Sequence, residues 1–115
     1  MTERAQDILI QAADLIQARA EQRDHADGER SIPRAVAMFN DLTGNGLSDR
    51  DGWILMALLK LSRAQGGRFV VDDYIDAAAY IALACESESQ AQEMARRTVS
   101  LFSAEDMPGF EAAGK

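Results

Sequence analysis

Two apolar runs separated by a glycine pair constrain the fold more than any other feature of the chain. The first is Trp53-Ile54-Leu55-Met56-Ala57-Leu58-Leu59; the second runs from Tyr74 to Cys85, and Gly66-Gly67 lies between them. Seven apolar residues in succession leave no polar face, so the first run reads as a helix buried on most sides. The second run carries Ala77, Ala78, Ala79, Ala82 and Ala84, small side chains that let a Leu- and Met-rich helix approach closely. The two are predicted to pack antiparallel through the glycine hinge, as the core of an all-α domain.

The flanking sequence supplies further helices. From Thr2 to about Arg23 the chain is rich in helix formers, and Ile8, Ala12, Leu15 and Ile16 share one helical face. Thr2 is the expected N-cap. Residues 24–30 (DHADGER) read as a loop, and they hold the single histidine, His25, and Glu29. Ser31 then caps a helix with Pro33 in its first turn. Its stripe is Val36, Phe39 and Leu42, and Gly44-Asn45-Gly46 closes it. Ser48 and Asp51 have the spacing of a capping box at the start of the next helix. Asp72 is the expected cap of the following one, and the polar residues 86–99 continue or restart it. The fold class is therefore all-α, a four- to five-helix bundle over residues 1–100. Residues 101–115, with Leu101, Phe102, Met107 and Phe110, are expected to form a loosely docked tail.

Composition limits function. At 115 residues the chain is one domain, long enough to bury a core without a staple. One cysteine, Cys85, excludes an intrachain disulfide and is expected to be a buried, inert thiol. No apolar run reaches transmembrane length and the N-terminus does not read as a signal peptide, so a cytoplasmic, membrane-free protein is expected. A net charge of −7 is unsuited to direct nucleic-acid binding, which depends on Lys and Arg neutralising phosphates. It suits metal binding or a basic partner.

The acid run Asp72-Asp73-Tyr74-Ile75-Asp76 is the most informative charged pattern. Asp73 and Asp76 are i, i+3, so their carboxylates share one helical face. Two such carboxylates suit Mg²⁺, a hard cation that takes oxygen ligands and shares them with substrate phosphates. The alternative is capping and solvation near a helix N-terminus. Asp76 sits within the apolar run and needs a partner if buried. Antiparallel packing puts Lys60 beside it, either as a core salt bridge or as a phosphate-facing lysine next to a metal-holding acid. Arg63, three residues after Lys60, shares either role. Asp51 is nine residues before Lys60, about half a turn out of phase, which favours capping over a shared pocket. Tyr80 is a core residue or a stacking surface for a base.

The segment DGWILMALLKLSRAQGG…DDYIDAAAYIALACE resembles the core of small phage and prophage proteins similar to MazG-like, all-α nucleoside triphosphate pyrophosphohydrolases. The likeness covers roughly residues 27–86. It implies a four-helix core in which ExxE and ExxD carboxylates hold Mg²⁺ against a nucleotide, so that water cleaves between the α- and β-phosphates. Asp73 through Asp76 matches the ExxD element with Asp in place of Glu; nothing matches ExxE. By this resemblance Asp73 and Asp76 hold metal, with Glu29 or Asp51 as further ligands. Lys60 and Arg63 offset phosphate charge. Paired subunits, a homodimer, are also implied. The missing ExxE half leaves a second reading open: a non-catalytic phage accessory protein that binds a nucleotide or a host protein through the same scaffold. A third is an acidic interaction protein with no small-molecule site.

Overall fold

The computed structural model describes residues 2–24 and 31–102. Among them are four α-helices and no strand: α1 Ala5–Arg19, α2 Ser31–Thr43, α3 Asp49–Gln65 and α4 Val71–Leu101. A π-helical turn, Ala20–Asp24, prolongs α1. The chain is an all-α helical bundle, and no helix among the described residues is long and apolar enough to cross a membrane.

Local chemistry sets the helix ends. Ser48 is extended, its Oγ accepts from the Asp51 backbone N–H at 3.1 Å, and the Asp51 carboxylate accepts from the Ser48 N–H at 3.0 Å. This capping box starts α3 as the sequence predicts. Gly44 closes α2 with φ +72°, a left-handed conformation open to glycine at no steric cost. The other two starts differ from expectation. α1 is preceded by Arg4 rather than Thr2, and α4 by Val70 rather than Asp72, neither with a side-chain cap. Asp72 and Asp73 instead lie in the first turn of α4, where the helix dipole favours carboxylates.

The helices contact one another in the order α1–α4–α3–α2. α4 is central and uses two faces. Toward α3 it buries Tyr80 and Ala84 against Trp53 and Ala57, with the Trp53 and Tyr80 rings stacked at 5.8 Å. Toward α1 it buries Ile75 and Ala79 against Ala12, flanked by Ile8, Leu15 and Ile16. α2 docks on α3 at Gly52, where a Cβ would come within 2.5 Å of Val36 Cγ2.

Two burial expectations fail. α3 is not enclosed on most sides: Ile54, Leu55, Leu58, Leu59 and Leu61 are exposed, Leu55 by 62%. With α4 on one side and α2 on another, no further layer among the described residues covers its outer face. Cys85 is likewise exposed, because it lies about 100° round α4 from Ala84, which faces α3.

Candidate functional site

The hinge between α3 and α4 folds the last turns of one helix onto the first turns of the next. Lys60 and Arg63 come from α3, Asp73 and Asp76 from α4. Lys60 Nζ lies 3.0 Å from Asp76 Oδ2, with both side chains about one-sixth exposed. Arg63 Nε lies 3.8 Å from Asp73 Oδ1, and Asp73 is buried. The pairing of Lys60 with Asp76 is therefore present, and Arg63 joins it through the neighbouring acid.

A third cation arrives from α1. Arg19 Nη2 lies 3.8 Å from Asp76 Oδ1, so the two carboxylate oxygens of Asp76 face two different cations. Arg19 Nη1 donates to the Tyr80 hydroxyl at 2.9 Å, and the guanidinium sits 5.5 Å from the Tyr80 ring centroid. This residue escaped the sequence reading. Its signal is positional: Arg19 falls four residues after Leu15 and three after Ile16, so it continues the apolar stripe by which α1 docks on α4. Tyr80 is buried, its ring lies against Trp53 and its hydroxyl is taken by Arg19, which leaves it a core tyrosine.

The other candidates stand apart from this cluster. Asp51 belongs to the α3 capping box and pairs with Arg50 at 3.5 Å. The Ser48 backbone N–H holds its carboxyl below the usual value, and the Ser48 hydroxyl and Arg50 add to the effect. Glu29, like His25 and the 103–115 tail, lies outside the described residues.

An open groove of about 570 Å³ runs beside Asp76 between α1 and α4, with Asp14, Arg19 and Asp72 on its walls. Among the described residues no three metal-ligating side chains converge. An all-protein Mg²⁺ cage therefore does not fit. Mg²⁺ held by one carboxylate together with substrate phosphates suits Asp76, which lines that groove; Asp73 shares its face of α4 but is buried against Arg63. Arg19, Lys60 and Arg63 face Asp73 and Asp76, and with Asp14 and Asp72 on the groove walls the site holds three cations and four carboxylates.

No curated protein and no solved structure matches the chain. A family match does exist: over residues 7–88, from α1 to the middle of α4, the chain belongs to the family described as a domain of unknown function, DUF6378.

Proposed function

We propose that the chain is a Mg²⁺-dependent nucleoside triphosphate pyrophosphohydrolase of the MazG-like, phage-associated kind, acting in the cytoplasm as a homodimer. The observation that supports this is the interleaving of Asp73 and Asp76 with Lys60, Arg63 and Arg19, in which Asp76 and Arg19 line an open groove. On this reading the cations leave their carboxylate partners for phosphate oxygens when nucleotide enters. That frees the face formed by Asp73 and Asp76 for metal. Mg²⁺ supplies Lewis-acid polarisation of a phosphoryl oxygen. The chain's own part is to hold phosphates with preorganised cations. The test is pyrophosphate release from a panel of nucleoside triphosphates with Mg²⁺. Release that is abolished by Asp76→Asn is expected; no release by the wild-type chain on any of them overturns catalysis.

A second reading has its own support. With no third acidic ligand among the described residues, the same scaffold serves as a non-catalytic accessory module that binds a nucleotide or a host protein. Thermal stabilisation by Mg²⁺ with a nucleotide, without turnover, selects nucleotide binding over hydrolysis. Neither turnover nor stabilisation rejects both nucleotide readings.

A further inference from the structure

α1 is joined to the bundle by one seam. Among the described residues its only helix partner is α4. The apolar clusters divide accordingly. Trp53, Ala57, Tyr80 and Ala84 form one, with Ile32 of α2 beside them; Ala12, Ile75 and Ala79 form the other, without any residue of α2 or α3. Of the 15 residues of α1 only Ala12 is buried. No side chain caps its start, and its regular ladder ends directly after Arg19, in the π turn Ala20–Asp24. A unit held through a single small seam opens at a lower free energy than the whole domain.

The polar part of the seam is one side chain. Among the described residues Arg19 carries every polar link from α1 to α4: Nη1 donates to the Tyr80 hydroxyl at 2.9 Å and Nη2 faces Asp76 Oδ1 at 3.8 Å. Both links can break without stranding a charge. Asp76 keeps Lys60 at 3.0 Å on its other oxygen, and Asp73 keeps Arg63. The Tyr80 ring keeps its stack on Trp53 while its hydroxyl turns to water. The usual penalty for breaking a buried cluster, an unpaired carboxylate left inside, does not arise.

α1 is also one wall of the groove beside Asp76. Asp14, Leu15 and Arg19 line one side of it, and Asp72, Ile75 and Asp76 the other. We infer that α1 is a hinged wall of this groove, a unit that undocks from α4 while the α3–α4 pair stays folded, with Arg19 as its latch. Undocking uncovers Asp76 Oδ1, which Arg19 otherwise faces, and turns the groove into an open face of α4. Access to Asp76 is then set by the docking of one helix. This holds whatever occupies the groove, so it stands or falls separately from the nucleotide reading.

The first test is native-state hydrogen exchange of the full chain in rising, sub-denaturing urea. Amides of residues 9–19 are expected to exchange at least about tenfold faster than those of 53–59 and 77–84, with a weaker urea dependence, because undocking exposes less surface than global unfolding. Exchange of α1 at the core rate and with the core urea dependence overturns the separate opening. The latch is read by thiol labelling. Ala12→Cys in a Cys85→Ser background puts a thiol in the seam, shielded while α1 is docked, with circular dichroism as the check on folding. Arg19→Met is expected to raise the labelling rate about tenfold, through loss of a hydrogen bond from a charged donor. Lys60→Met is expected to leave the rate at or below its starting value, since Asp76 then depends on Arg19 alone. A rate that Arg19→Met leaves unchanged, or that Lys60→Met raises equally, overturns the latch, because labelling through global unfolding responds to both substitutions.

Discussion

The Lys60–Asp76 pair makes a quantitative prediction, because its two members are not equivalent. At 3.0 Å the gross attraction is about 5 kcal/mol for an effective dielectric near 20. Removing both groups from most of their water takes back a large part of this. A net coupling of about 2 kcal/mol is expected. Lys60→Met leaves Asp76 with Arg19 at 3.8 Å, so its cost is held to about 1–2 kcal/mol. Asp76→Asn takes away the one carboxylate that Lys60 meets among the described residues and deprives Arg19 of its ion pair as well. Its cost is expected at about 2–4 kcal/mol. The double variant should lie about 2 kcal/mol closer to wild type than the two single costs summed. Urea unfolding measures all four proteins at one protein concentration. Additive single costs, or a lysine substitution more damaging than the aspartate one, would refute the placement of Asp76 between two cations.

Three other perturbations follow from the same geometry. Gly52→Ala places a methyl 2.5 Å from Val36 Cγ2 and 2.8 Å from Ile32 Cγ2, on two β-branched side chains with little χ1 freedom. Overpacking of about 1–3 kcal/mol outweighs about 1 kcal/mol of helix propensity, and hydrogen exchange should show α2 loosening before α1; equal protection in both would contradict the docking. The Asp51 carboxyl titrates below its ordinary value of 3.8, so its capping contribution is complete above that pH and is lost as pH falls through the lowered value. A carbon-detected titration of Asp51 at or above 3.8 would disprove this, and Asp51→Asn should weaken the acid dependence of α3 stability. Arg19→Met keeps a chain over the Tyr80 ring but removes the donor to its hydroxyl and the contact with Asp76. A loss of about 1–2 kcal/mol, or roughly 5–10 °C in Tm, is expected; an unchanged melt would deny Arg19 its place in the cluster.

The residues of the cluster divide by how local their evidence is. Asp73 and Asp76 share a face because of spacing alone, and Lys60 reaches them because the Gly66-Gly67 hinge turns α3 back on α4. The Ser48–Asp51 box is settled within four residues. All of these are legible in the chain, since each follows from one helix or one tight connection. Arg19 is not, because its partner Tyr80 lies 61 residues away and only the docking of α1 on α4 brings them together. A cation that continues an apolar stripe is the trace that such docking leaves in a sequence.

The apolar run of α3 shows the other boundary of what a sequence reveals. Seven consecutive apolar residues state that a helix is to be covered all round; they do not state which chain covers it. Among the described residues α3 receives α4 and α2 and nothing else, and the helices contact one another in the row α1–α4–α3–α2. A stable domain needs a second layer over an apolar first one. The exposed leucines of α3 and the stripe that α4 carries past Glu88 are therefore two parts of one deficit. Both follow from the same sequence property, apolar faces longer and wider than the other described helices cover.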